Sequence, residues 1–310
     1  NADGKQDIAV ANSGPYSKTV SILFGNGDGT FKPESAYTLG GRPSSIVKGD
    51  FNEDGLLDLA VSYSNYYSNY SPKYIALLLS KGDGTLISKS ADLENPYQMN
   101  CTSYDFLNTG DINKDGKIDL ITSNVGCAIA LLGDGNGTFQ RSQFIGLLYI
   151  HEPIIRDINN DGESDIIFFK GADSISDSYL DIWLGNGDGT FQQGTSVGWG
   201  EGVRSLDSGD INGDGITDIA LVDYKNLYLI SGSGDGVFPG EAVFEASFRK
   251  KLSHGLATAD FNGDNNQDIA VIWCPRGDDD SCAGNTKIAI YLGNGYNAFT
   301  QGTTIETAET

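Results

Sequence analysis

Asp50-Phe51-Asn52-Glu53-Asp54-Gly55-Leu56-Leu57-Asp58 carries a pattern that recurs along the chain and orders the segments around it. Side-chain oxygens stand at its first, third, fifth and ninth positions, and glycine stands at the sixth. Hard cations such as calcium take about six to eight oxygen ligands from a flexible loop. Asp50, Asn52, Asp54 and Asp58 offer four ligand side chains. A bidentate Asp58 and the Leu56 carbonyl complete the set. Gly55 falls where the loop must turn sharply, and glycine accepts positive φ at low cost.

One acidic loop is an ordinary surface turn, but this one recurs. The same spacing appears at Asp111, Asn113, Asp115 and Asp119, with Lys117 at the seventh position. It appears again at Asp157, Asn159, Asp161, Glu163 and Asp165, then at Asp210, Asn212, Asp214, Ile216 and Asp218. The last copy is Asp260, Asn262, Asp264, Asn266 and Asp268, with Asn265 in place of the glycine. Asparagine is a residue type enriched at positive φ. A shortened copy, Asn1, Asp3 and Asp7, opens the chain. The expected cofactor is therefore calcium, in five complete loops and a sixth partial one.

The 310 residues carry a formal net charge of −22 and 41 glycines. Seventeen aspartates lie in the six loops, so much of the acidity is read as ion ligation. Nucleic acid is excluded as a partner, because phosphate binding needs a basic surface. No apolar run is long enough to span a membrane. No signal peptide is visible, and Asn1 already lies inside a repeat, which reads as a processed or excised part of a longer product. Cys101 with Cys127, and Cys274 with Cys282, are short-range pairs that favour two disulfides and an oxidising, extracellular compartment. Asn69, Asn100 and Asn136 open glycosylation sequons.

Each repeat shows strand-like runs around its loop. In the second, Ser44–Gly49 enters the loop, Leu59–Ser62 leaves it, Tyr74–Leu79 follows, and Lys81–Thr85 reverses the chain into Leu86–Ala91. The runs are short, apolar and often β-branched, as buried strands are. Turns such as Gly25-Asn26-Gly27-Asp28-Gly29-Thr30-Phe31 carry strong hairpin signals and are read as structural. A period of about 52 residues with four strands each signals a propeller. The expected fold is all-β: one β-propeller domain over 1–310, of about six four-stranded blades, with seven-bladed closure less favoured. The first blade lacks the strand before its loop. Either Ile305–Thr310 helps to close the ring, or residues upstream of Asn1 were lost.

The acidic loops, joined to Phe24–Phe31, resemble FG-GAP/VCBS repeats, which build the propellers of integrin α-subunits and certain fungal lectins. The resemblance covers essentially the whole chain. It implies calcium at the acidic loops, on one face, and ligands on the other.

Strand polarity divides the faces in the same way. Acidic loops and glycine hairpins share one face; the variable loops and blade connections share the other. Scaffolded variable loops carry binding. The candidates there are Tyr66, Tyr67, His151, Trp199, Arg204, His254 and Trp273, because tyrosine and tryptophan offer sugars an apolar face beside a polar edge. The leading reading is a noncatalytic extracellular recognition or adhesion module, lectin-like, with glycan ahead of protein as the partner. A structural spacer and a calcium-dependent polysaccharide lyase are the alternatives. No catalytic motif appears, so no catalytic residue is assigned. Arg276-Gly277-Asp278, between two cysteines, is a minor candidate for integrin contact.

Overall fold

The computed structural model describes residues 1–14, 16–64, 73–90, 106–124, 127–147, 150–171, 178–200, 202–223, 226–240, 242–247, 251–274 and 286–306. These residues form six antiparallel sheets and no helix. The first has three strands, in the order β1 (Ile8–Ala11), β2 (Thr19–Leu23), β3 (Ser35–Thr38). Each of the other five has four strands in chain order. The second holds β4 (Arg42–Gly49), β5 (Asp58–Ser64), β6 (Lys73–Ser80) and β7 (Leu86–Ser90). The third holds β8 (Phe106–Gly110), β9 (Asp119–Asn124), β10 (Cys127–Gly133) and β11 (Phe139–Leu147). The fourth holds β12 (Ile150–Arg156), β13 (Asp165–Gly171), β14 (Ser178–Gly185) and β15 (Phe191–Gly200). The fifth holds β16 (Ser205–Gly209), β17 (Asp218–Val222), β18 (Asn226–Ile230) and β19 (Phe244–Ser247). The sixth holds β20 (Lys251–Ala259), β21 (Asp268–Cys274), β22 (Lys287–Gly293) and β23 (Phe299–Glu306).

The chain divides into two compact units, residues 1–155 with 185–192, and residues 156–184 with 193–310. Burial follows strand position within each sheet. In β17 every residue is buried, from Asp218 to Val222, whereas β23 is largely exposed. Central strands covered on both faces read as continuous apolar runs, and edge strands do not.

In the first unit, Phe51, Ala60, Ile75, Leu77, Leu107, Leu120, Ile129 and Phe139 pack between the second and third sheets. Phe51 meets Phe139 edge-on, ring centroids 6.0 Å apart. Phe139 closes a glycine hairpin, so the aromatic there packs between sheets as its sequence position implies. In the second unit, Ile211, Ala220, Leu227, Leu229, Ile269, Val271, Trp273 and Tyr291 form the corresponding core.

The C-terminal segment behaves differently from one expectation. Ile305 and Glu306 pair with Ile288 and Lys287 of β22, so they complete the sixth sheet. They are not available as an inner strand for the first.

Candidate functional site

The acidic loops are built by their own backbone. In the second repeat, Asp50 accepts the Asp54 and Gly55 N–H groups, Asn52 Oδ1 accepts Asp54 N–H, and Asp54 Oδ1 accepts Leu56 N–H. Such side-chain-to-backbone bonds two to five residues apart coil the chain tightly. The sixth loop position has positive φ, at Gly55 (82°), Gly116 (84°), Gly162 (82°) and Gly215 (83°), and Asn265 adopts 68°. The fourth position is also left-handed, at Glu53 (55°), Lys114 (58°) and Asn160 (59°). Residue type alone does not signal it at Glu53 and Lys114, because these side chains seldom take that conformation.

The ninth-position aspartate has a role the sequence did not show. Asp58, Asp119, Asp165, Asp218 and Asp268 are all fully buried. Asp119 Oδ2 accepts Ile112 N–H at 2.8 Å, and its Oδ1 accepts Gly133 N–H at 2.7 Å. Asp58 does the same with Phe51 (3.2 Å) and Ser80 (2.7 Å). Asp218 takes Ile211 and Gly232, and Asp268 takes Phe261 and Gly293. Asp58, Asp119, Asp218 and Asp268 thus each latch their acidic loop to the glycine hairpin of the same sheet. Both Asp58 oxygens are engaged in this way, each with one further lone pair.

Among the described residues, no group of three or more His, Cys, Asp or Glu side chains is gathered as a metal cage. Two observations nevertheless fit a hard cation. Asp157 Oδ1 is buried with no hydrogen-bond partner, while Oδ2 of the same carboxylate accepts Gly162 N–H. An orphaned buried carboxylate oxygen is costly unless something positive meets it. The donor set is also entirely oxygen, as calcium requires.

The carboxylates sense one another. Burial pushes Asp119 up to about 6, with Asp115 and Asp111 adding to the shift and two backbone N–H bonds opposing it. Burial likewise pushes Asp218 up to about 6, with Asp214 adding to it. The sign follows from linkage. Between about pH 4 and 6, the folded chain without metal keeps protons that the unfolded chain has lost, so its stability falls as pH rises through that window. Metal-free protein, prepared by dialysis, is therefore expected to melt higher at pH 5 than at pH 7. A higher melt at pH 7 would contradict this arrangement.

The hairpin aspartates belong to turn structure. Asp28, Asp83 and Asp188 each accept the N–H and hydroxyl of the threonine two residues on. The threonine hydroxyls, first, and the backbone N–H groups hold these carboxyls below the usual range.

The other face is described in part. Tyr66, Tyr67, Cys101, Cys282 and Arg276-Gly277-Asp278 lie outside the described residues. His151 lies in β12 and His254 in β20. Arg204 is half-buried just before β16, and its N–H donates to Val222 O. Trp273 departs from its expected role as a sugar platform. It is 5% exposed within the core of the second unit, with the Lys287 ammonium 5.6 Å from its ring centroid. Its position in β21 makes it a strand residue facing the neighbouring sheet. Cys127 and Cys274 are buried, and no described cysteine is a free thiol.

Trp199 is half-buried and meets Tyr228 edge-on, centroids 5.3 Å apart. The Tyr228 hydroxyl donates to Asp223 Oδ2 (3.1 Å) and accepts from Asn226 Nδ2 (2.6 Å). Tyr63 and Tyr74 stack at 5.3 Å where β5 and β6 meet the loop between them. Tyr228 and Tyr74 are strand residues, and the sequence reading missed both. Their signal was an aromatic at the loop-facing end of a strand.

Meandering sheets that carry a recurring Asp/Asn loop between their first two strands define a β-propeller of repeated blades. The FG-GAP-like repeat matches residues 1–61, 157–221 and 210–271, more than half of the chain, and the protein belongs to that family. No curated protein matches it. Among solved structures, it is similar to an Agrocybe aegerita lectin that recognises non-reducing terminal N-acetylglucosamine. That likeness has a TM-score of 0.58 at 17% identity, covering 98% of this chain and 80% of the lectin. It is also similar to the rhamnogalacturonan lyase YesW, with a TM-score of 0.50 at 15% identity, covering 99% of this chain and 62% of the lyase. At these identities the likeness establishes the fold.

Proposed function

We propose that the protein is a noncatalytic extracellular recognition module that binds glycan on its variable-loop face and is stabilised by calcium. The observation that carries the reading is the Trp199–Tyr228 pair beside Asp223 and Asn226. Sugars bind where an apolar ring face adjoins polar groups that fix their hydroxyls. The similarity to a lectin of the same fold supports this reading. The aspartates and asparagines of the five complete loops would hold calcium, with Asn1, Asp3 and Asp7 forming a weaker site. Bound calcium neutralises the carboxylates and so stiffens the loops. The chain's own residues supply the recognition. Bridges from Cys101 to Cys127 and from Cys274 to Cys282 would restrain the loops on this face.

A glycan array at saturating calcium, followed by calorimetry on the hits, tests the proposal. Trp199→Ala is expected to weaken a hit at least about tenfold, equivalent to about 1.4 kcal/mol, with the melt retained. A product assay on the same hit separates binder from lyase. A hit that is cleaved, or one indifferent to Trp199→Ala and to paired Tyr66→Ala and Tyr67→Ala changes, would refute this reading.

A further inference from the structure

A cavity of about 330 Å³ lies in the second unit, among the ends of β12, β16 and β20 and the acidic loops that follow β16 and β20. We propose that it is a second saccharide site and that it takes a sugar acid, with the carboxylate on Arg156. It sits at the acidic-loop end of the strands and does not depend on glycan binding at the variable loops.

Arg156 is the first reason. The residue just before the acidic loop is Gly49, Gly110, Gly209 or Ala259 in the other complete repeats. Only the fourth repeat places a long cationic side chain there. Arg156 Nη2 donates to Ser208 O at 2.8 Å, which anchors the guanidinium at the cavity wall. A guanidinium has five N–H donors, so most of the fork remains for a ligand. It also disfavours a second metal ion in this space.

The polar lining is the second reason. Ser208 is 1% exposed, and its hydroxyl has no hydrogen-bond partner although the residue borders the cavity. The side-chain amides of Asn266 and Gln267 also border the cavity, and neither forms a hydrogen bond among the described residues. Thr258 is fixed by Asp207, whose Oδ2 accepts its N–H (2.8 Å) and its hydroxyl (3.0 Å). Gly295 leaves room for the amide of Asn266, because a Cβ there would stand 2.8 Å from Asn266 Oδ1.

The chemical class follows from what the cavity lacks. No aromatic residue lines it. A neutral sugar would forgo ring stacking, so affinity must come from polar bonds, and the strongest available is guanidinium to carboxylate. Asp210 also borders the cavity, and its Oδ2 accepts Gly215 N–H. The volume lies at the small end of the range for ligand pockets, suited to one monosaccharide unit.

Calorimetry at saturating calcium and low salt tests the proposal, using the methyl glycosides of glucuronic and galacturonic acid and of glucose and galactose. At least one acid is expected to bind, at least tenfold more tightly than its neutral counterpart. Arg156→Gln is expected to weaken that acid at least tenfold, and Trp199→Ala to leave it unchanged. Should Arg156→Gln fail to fold, Gln267→Glu places a negative charge at the cavity without touching the Arg156–Ser208 bond, and it is expected to abolish acid binding. No acid binding by the parent, equal binding of the neutral sugar, or acid binding indifferent to the folded variant would overturn the site. Loss of acid binding in Trp199→Ala would place the acid at the variable loops and overturn it too. Failure here leaves the variable-loop reading standing, since that reading is measured on array hits with Arg156 intact.

Discussion

Calcium-free protein is expected to melt roughly 20 °C or more below calcium-loaded protein. A cation that binds only the native state stabilises it by RT ln(1 + [L]/Kd), about 2.7 kcal/mol per site at a hundredfold excess over Kd. Five complete loops acting together would supply about 13 kcal/mol, comparable with the roughly 5–15 kcal/mol that holds a domain folded. Without the metal, the chain keeps a net charge of −22, and the carboxylates at loop positions one and five help to push Asp58 and Asp119 up. Burial is the larger cause of both shifts, so the charge on the latch carboxylates and their neighbours costs the apo fold stability, which the latch hydrogen bonds offset. Differential scanning fluorimetry with and without chelator measures the shift. Elemental analysis of dialysed protein, expected to give about five calcium ions per chain, confirms what was removed. An unchanged melt after verified removal, or fewer than about three ions bound, would rule out the calcium reading.

Asp119→Ala is expected to destabilise the protein by about 3–5 kcal/mol even in the presence of chelator. The variant leaves the Ile112 and Gly133 N–H groups buried without an acceptor. Each such orphan costs about 1–3 kcal/mol, and the lost side chain adds a small cavity. Asp119→Asn retains one carbonyl acceptor and is expected to lose about half as much. Denaturant melts in chelator separate the two roles of the carboxylate. If the alanine variant matches the parent in chelator and differs only with calcium, the latch contributes nothing and Asp119 is solely a ligand. The same test at Asp218, which bonds Ile211, Asn212 and Gly232, should give a comparable loss.

Most of the fold was legible because the turns declare themselves locally. The run Ser44–Gly49 differs from β4 by two residues at its start, and Tyr74–Leu79 differs from β6 by one residue at each end. Alternation of acidic loop and glycine hairpin sets strand direction, so the assignment of loops to faces needs no long-range information. The candidate site was less legible. Trp273 reads as an exposed aromatic at a strand end, yet pairing of β21 with β22 and packing in the second unit's core bury it. Trp199 and Tyr228 are 29 positions apart in sequence, in β15 and β18, and only the packing of the fourth sheet against the fifth brings their rings together.

Local chemistry, then, determined the oxygen-ligand pattern, the left-handed sixth position that Asn265 also adopts, and the order of strands. These depend on contacts within a few residues, which sequence spacing encodes directly. Tertiary structure decided what the ninth-position aspartate does, because its second donor lies across the sheet, as Gly133 does for Asp119. It also decided why glycine begins several hairpins: a Cβ at Gly133 would stand 2.2 Å from the Ile118 carbonyl oxygen, and one at Gly232 would meet Thr217 O at the same distance. The Arg156 cavity was likewise decided by packing, since its walls come from segments that meet only when the strands align side by side.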